Sequence, residues 1–149
     1  KDSRVGAFAV VTMMSYSGLL WITFYETVGT VDYLWFFFVP LFSRTVMPMM
    51  IYNFTFAKKD GFSNMYSHAI VKKDRYSLYN VFLIISIVAY LVLGIYAICF
   101  PIISIISYFG YKRFIDKQFG GLTGDLLGAY VLILELILFM ALIPIGRMV

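Results

Sequence analysis

The longest stretch without a charged residue covers positions 76–111, and it limits the fold of this chain more than any other feature. It contains 36 residues, most of them apolar. One continuous helix of that length would extend about 54 Å, well beyond the roughly 30 Å hydrocarbon core of a bilayer. We therefore expect two membrane-spanning helices that meet near Gly94 and Pro101, or one long helix that is kinked there.

The composition of the chain supports a membrane environment. Hydrophobic residues make up 62% of the sequence and charged residues 13%, whereas ordinary globular domains have about 45–50% and about 25%. So few charged residues could not cover the surface of a water-soluble domain. This excludes a soluble domain, a disordered tail and a typical nucleic-acid-binding protein, despite the net charge of +4. The expected partner is the lipid bilayer, and we expect no nucleic acid.

Three further stretches are long and apolar enough to cross a membrane. They cover residues 5–25, residues 33–57 and about residues 122–145. The polar stretch 58–75 places its apolar residues on one helical face, which predicts an amphipathic helix in the membrane interface. The predicted fold is therefore all-α. It is a polytopic membrane helix bundle with about five transmembrane helices plus one interfacial amphipathic helix, forming a single transmembrane domain over residues 1–149.

The positions of the basic residues favour two helices, not one, in residues 76–111. With two helices, ten of the twelve Lys and Arg residues lie on the same side of the membrane. They are Lys1, Arg4, Lys58, Lys59, Lys72, Lys73, Arg75, Lys112, Arg113 and Lys117. By the positive-inside rule this side is the cytoplasm. The N-terminus is then cytoplasmic and the C-terminus lies outside.

Arg44 lies near the middle of the second predicted span. A charge at that depth costs about 3 kcal/mol on insertion scales, so it normally faces the bundle interior and has a partner. Arg44 could bind an anionic group such as a phosphate. Alternatively, it could form a structural ion pair with Glu135 or Asp125. Its position alone leaves both interpretations open.

A glycine-rich segment precedes the last predicted helix. Gly120 and Gly121 free the backbone, Thr123 is a candidate N-cap, and Asp125 falls in the first turn. The unpaired N–H groups of such a helix start suit a phosphate, and Asp125 could hold a metal ion. The alternative is helix capping and packing without a ligand.

The same segment contains a G-x-x-x-G pair formed by Gly124 and Gly128. In membrane helices, this spacing of small residues lets a second helix approach closely. We therefore predict a close helix contact at these two glycines.

These motifs resemble those of the cobalamin synthase family, whose members are also called adenosylcobinamide-GDP ribazoletransferases. Residues 120–129 (GGLTGDLLGA) resemble the family's G-G-x-T-G-D-x-x-G-A signature near the C-terminus. Residues 1–8 (KDSRVGAF) resemble its K-D-S-R-x-G segment, and Ser43-Arg44 followed by Lys59-Asp60-Gly61 resembles two shorter motifs. The chain begins after the family's acidic D-x-x-D-G-type motif, so we expect it to be the C-terminal part of a longer enzyme.

The resemblance implies an activity and a set of site residues. Adenosylcobinamide-GDP would react with α-ribazole or its 5′-phosphate, releasing GMP, with Mg²⁺ as the cofactor. Asp2 and Asp125 would be the catalytic and metal-binding residues. The substrate-binding residues would be Arg4, Arg44, Gly120, Gly121, Thr123 and Gly124. The expected location is a bacterial or archaeal cell (inner) membrane with the active site on the cytoplasmic side, and the enzyme could form a homo-oligomer.

Two other functions remain open from the sequence. A CDP-alcohol phosphatidyltransferase would use similar chemistry, although its longer D-x-x-D-G-x-x-A-R signature is absent from this chain. A non-catalytic transport or scaffold bundle would explain Arg44 and Glu135 as an intramembrane pair. The scaffold hypothesis differs from both enzyme hypotheses because it predicts no dependence on nucleotides.

Overall fold

The structure is a computed structural model that describes residues 6–56 and 74–148. The long helices of this part are α1 (Ala7–Thr27), α2 (Tyr33–Asn53), α3 (Asp74–Leu93), α4 (Cys99–Gln118) and α5 (Gly124–Gly146). The prediction of an all-α bundle is confirmed. Most of the predicted interfacial helix, residues 58–73, lies outside the described residues, as do Asp2 and Arg4.

Four of these helices have the length and apolarity to cross a membrane. They are α2, the Tyr76–Leu93 part of α3, the Ile95–Gln118 segment that contains α4, and α5. This defines a multi-pass membrane protein. Helix α1 has 21 residues, which correspond to about 31 Å, and its role as a fifth span stays a prediction.

The uncharged stretch 76–111 forms two helices that run in opposite directions. The break lies at Gly94, whose φ of +80° is a conformation that favours glycine. A 3₁₀ turn over Ile95–Ile98 then leads into α4. Tyr79 near the start of α3 and Lys112 near the end of α4 line the same pocket, together with Asn53 at the end of α2. The prediction of two helices is therefore confirmed.

Helices α2 and α5 pack antiparallel, because contacts link the end of α2 to the start of α5 and the middle of α2 to the middle of α5. The Leu122 N–H, just before α5, donates to the Thr55 carbonyl at 2.7 Å, and Ser43 bonds to Glu135. The ends of α2 and α4 and the starts of α3 and α5 therefore share one end of the bundle. We call it the basic end, because α4 places Lys112, Arg113 and Lys117 there.

The core lies between α2 and α5. Val39 and Phe42 of α2, and Leu134 and Leu138 of α5, are fully buried. Half of the most apolar 18-residue stretch of α2 is buried, whereas only 6% of the corresponding stretch of α3 is buried. Helix α3 therefore exposes most of its apolar side chains, as expected of a helix that faces lipid.

Among the glycines of α5, Gly146 is closely approached by the turn between α1 and α2, whereas Gly128 of the predicted G-x-x-x-G pair is not approached by any described residue. A Cβ atom on Gly146 would lie 2.4 Å from Thr30 Oγ1, in the turn between α1 and α2. A Cβ atom on Gly128 would meet no described atom within 4 Å. The predicted close helix contact is therefore wrong at Gly128, because this side of the first turns of α5 faces no other described helix.

Candidate functional site

A buried carboxylate occupies the centre of the bundle. The Ser43 hydroxyl donates a hydrogen bond to Glu135 Oε1 at 2.9 Å. The Arg44 guanidinium forms an ion pair with the same oxygen and also donates to Ser43 Oγ at 3.2 Å. Of the two partners that the sequence left open for Arg44, the structure selects Glu135 and not Asp125.

The three members of this cluster differ in how far they are buried. Ser43 is fully buried and Glu135 is 9% exposed, whereas the Arg44 side chain is 62% exposed. The open side of Arg44 faces a cavity of about 450 Å³ between α2 and α3, lined mainly by apolar residues such as Leu41 and Val81. The carboxylate is thus satisfied within the protein, while the guanidinium, with five N–H donors, keeps donors for a further acceptor.

The glycine-rich segment is a tight, anchored connection at the basic end. Gly120 has a φ of +64° and Gly121 a φ of +153°, which non-glycine residues rarely adopt. Leu122 is buried, and its N–H donates to the Thr55 carbonyl. The two glycines let the chain turn from α4 into α5 while Leu122 fixes the turn against the end of α2.

The start of α5 is capped as the sequence predicts. The Leu126 N–H donates to Thr123 Oγ1 at 3.3 Å, which confirms Thr123 as the N-cap. Asp125 lies in the first turn and is exposed. Because the Leu126 and Leu127 N–H groups already donate to Thr123, the positive end of the helix dipole is the feature here that favours an anionic ligand.

Asp125 and Arg44 do not meet. Asp125 and Glu135 are ten residues apart on α5, which separates them by about 15 Å along the axis. Because Arg44 pairs with Glu135, it lies deep in the bundle, while Asp125 lies at the basic end. The two residues therefore belong to two separate polar regions.

The described residues contain no group of three or more His, Cys, Asp or Glu side chains that could hold a metal ion. Mg²⁺ usually binds through one or two carboxylates, water and substrate phosphates. Asp125, exposed at the helix start, fits the role of one such carboxylate. The second carboxylate expected from the sequence, Asp2, lies outside the described residues.

A pocket of about 620 Å³ opens between α2, α3 and α4 at the basic end. The Asn53 side-chain amide donates to the Tyr79 hydroxyl at 2.9 Å at its rim. The Lys112 ammonium lies 5.8 Å from the centre of the Phe54 ring. The sequence does not predict this pocket, because its lining residues are spread over three helices and form no local motif.

The fold and these features define a multi-pass membrane helix bundle with a charged pair at its centre and a glycine-rich, capped helix start at its basic end. The family model for cobalamin-5-phosphate synthase matches residues 1–143. The chain belongs to this family.

Curated relatives agree with this assignment, and each is named adenosylcobinamide-GDP ribazoletransferase. The chain is 31% identical to the relative from Geobacillus sp. (strain WCH70), over 87% of the chain and 51% of the relative. It is 32% identical to that from Geobacillus thermodenitrificans, with the same two coverages. It is 30% identical to that from Vibrio parahaemolyticus, over 96% of the chain and 54% of the relative. The chain thus spans about half the length of these relatives. No solved structure matches it.

Proposed function

We propose that the natural protein carrying this sequence is a membrane-embedded, Mg²⁺-dependent phosphotransferase of vitamin B12 biosynthesis. It would join adenosylcobinamide-GDP and α-ribazole, or its 5′-phosphate, to give adenosylcobalamin, or its 5′-phosphate, and GMP. The observation that carries this proposal is the family match over residues 1–143. The name of the relatives, adenosylcobinamide-GDP ribazoletransferase, supports the same reaction.

The proposed reaction needs positioning and charge neutralisation more than a protein nucleophile. A ribose hydroxyl of α-ribazole attacks the phosphorus next to cobinamide and loses its proton. The new P–O bond forms as the bond from that phosphorus to GMP breaks. The basic end offers groups that suit this step, namely the positive end of the α5 dipole, the glycine backbone before it and an exposed carboxylate.

We assign the roles within this proposal by position. Asp125 would hold Mg²⁺ through its carboxylate, and the bound ion would neutralise phosphate charge. The backbone at Gly120, Gly121, Thr123 and Gly124 contacts the substrate phosphates. The proposal also includes Asp2 and Arg4, which lie outside the described residues.

The ion pair with Glu135 already accounts for the position of Arg44 within the membrane-spanning part of α2. We propose that Arg44 contacts substrate through the exposed side of its guanidinium group. This group lies about 15 Å from Asp125 along the bundle. Arg44 would then contact a different part of the substrate from the one held near Asp125.

The test of the proposed function is product formation by the purified protein in lipid nanodiscs. We expect adenosylcobinamide-GDP, α-ribazole and Mg²⁺ to give GMP and adenosylcobalamin, detected by mass spectrometry, and no product without the metal. The Geobacillus thermodenitrificans relative serves as the positive control. An inactive protein beside an active relative, with no nucleotide binding, would favour the scaffold hypothesis. Activity with a CDP-alcohol instead would favour the phosphatidyltransferase hypothesis.

We further propose that the basic end faces the cytoplasm of a bacterial or archaeal cell, with the protein in the cell (inner) membrane. Single cysteines introduced at positions 73 and 117 should both react with a membrane-impermeant reagent only after the cells are opened. Labelling of either position in intact cells would overturn this orientation.

A further inference from the structure

The pocket at the basic end changes in chemical character from its rim to its depth. We call it the aromatic pocket; it is lined by Val46, Met49, Tyr52, Asn53, Tyr79, Phe82, Ser104, Ile105, Tyr108, Phe109 and Lys112. Lys112 and Ser104 are eight residues apart on α4, so the pocket reaches about 12 Å into the bundle. Its rim carries an amide, phenol groups and one ammonium group.

The depth of the aromatic pocket is mainly apolar. Val46, Phe82 and Ile105 supply aliphatic and aromatic surface there. The Ser104 hydroxyl donates to the Phe100 carbonyl of its own helix at 2.8 Å. A polar ligand group in this region would therefore find few partners, and burying one without a hydrogen bond is unfavourable.

The rim of the aromatic pocket lies next to the glycine-rich segment. Asn53 at the rim is two residues before Thr55, a separation of at most about 7 Å along the chain. The Thr55 carbonyl in turn accepts the hydrogen bond from the Leu122 N–H. A ligand in the pocket would thus present its outer end to the region where the proposed function places the phosphates.

We propose that the aromatic pocket binds the ribazole acceptor, an inference that rests on the proposed function. The flat, apolar benzimidazole ring would lie in the depth, and the ribose and any 5′-phosphate at the rim near Lys112. A pocket of about 620 Å³ is of the size that holds drug-sized ligands. The corrin-bearing substrate is far larger, and a guanine ring would bury its amino and carbonyl groups without partners.

The aromatic pocket would also select the lower base. A purine nucleoside places exocyclic amino or carbonyl groups where the pocket has apolar side chains. We therefore expect the natural protein to use α-ribazole in preference to a nucleotide with a purine base, mainly through a lower KM.

A matched pair of variants tests whether the pocket holds the acceptor. Ile105 lines the pocket, whereas its neighbour Ile106 does not, and both are partly exposed, at 47% and 67%. In nanodiscs with Mg²⁺, Ile105→Trp should raise the KM for α-ribazole at least about tenfold. The KM for adenosylcobinamide-GDP should not change. Ile106→Trp should leave both KM values unchanged.

A second pair tests the rim and does not depend on how the tryptophan variants fold. Lys112→Gln should raise the KM for α-ribazole 5′-phosphate about fivefold, because it removes a charge-assisted contact, and leave that for α-ribazole nearly unchanged. Lys117→Gln, at the same end but outside the pocket lining, should change neither. Equal KM values across this pair overturn the proposal.

These experiments distinguish a wrong assignment of the aromatic pocket from a wrong proposed function. A wild-type protein without transferase activity would refute the proposed function and this inference with it. An active wild type with the same acceptor KM in Ile105→Trp and Ile106→Trp would overturn the pocket assignment alone. A phospholipid seen by native mass spectrometry in the wild type and Ile106→Trp but lost in Ile105→Trp, with acceptor KM unaltered, would assign the pocket to lipid and overturn the inference.

Discussion

The two carboxylates of α5, Glu135 and Asp125, lie in opposite environments, one buried and one exposed. Glu135, in the middle of α5, is 9% exposed and is bound by Ser43 and Arg44 of α2. Asp125, in the first turn of α5, is exposed beside the glycine-rich segment. The comparison shows that the same helix holds one carboxylate against the side chains of α2 and leaves the other exposed at the basic end.

The largest expected effect on stability concerns Glu135, the buried carboxylate. Glu135→Ala should lower the free energy of unfolding by about 1–3 kcal/mol, because it leaves the Ser43 hydroxyl and the Arg44 guanidinium without their shared acceptor. Unfolding in detergent followed by circular dichroism would measure it. Glu26→Ala, at an exposed position near the end of α1, is the control and should have little effect. Similar stability of the two variants would show that the central pair is not structural.

The next effect concerns the exposed carboxylate. Asp125→Asn should reduce the transferase turnover number about a hundredfold, or about 2.7 kcal/mol in activation free energy, while the fold is retained. Asn keeps the size of the side chain, so thermal stability should change little. Asp116→Asn, exposed near the end of α4, should retain normal turnover. Near-normal turnover in Asp125→Asn would reduce Asp125 to a helix-start residue without a catalytic role.

A smaller effect tests the glycine backbone of the basic end. Gly120→Ala should cost about 1–2 kcal/mol of stability, because its φ of +64° is unfavourable for a residue with a Cβ atom. The described residues leave open space around both Gly120 and Gly128, so a steric clash contributes to neither substitution. Gly128→Ala, inside α5, should be neutral or stabilising by less than about 1 kcal/mol. Equal thermal shifts of the two variants would contradict the role of the Gly120 conformation.

The smallest effect concerns the cap of α5. Thr123→Ala should lower stability by about 1 kcal/mol, since it removes the acceptor of the Leu126 N–H. Thr123→Ser keeps the hydroxyl and should restore most of the loss. If Thr123→Ala lowers turnover far more than its thermal shift explains, the hydroxyl also contacts substrate.

Much of the fold follows from patterns that are local in the sequence. The uncharged stretches predict the helices, Gly94 marks the break between α3 and α4, and Thr123 is recognisable as an N-cap. Each of these depends on neighbouring residues only. Local patterns are sufficient there because backbone geometry and apolar length act over a few turns of chain.

The remaining features depend on which distant residues meet. Arg44 had two acidic candidates, and the choice of Glu135, 91 residues away, follows from the packing of α2 against α5. The need for glycine at position 146 arises only because the end of α5 meets Thr30. The G-x-x-x-G prediction failed at Gly128 for the same reason, since spacing alone does not say whether a helix lies opposite.

The 91-residue separation between Arg44 and Glu135 has a consequence for biogenesis. At about 5–20 residues per second, ribosomal synthesis reaches Glu135 about 5–18 seconds after Arg44. During that interval Arg44 has no counter-charge. The apolar side chains of α2, with a mean hydropathy of 1.5, must then keep the helix in the bilayer. We therefore expect α2 to be inserted already in a nascent chain that is arrested before Gly124. Helix α5 then stabilises α2 when Glu135 pairs with Arg44.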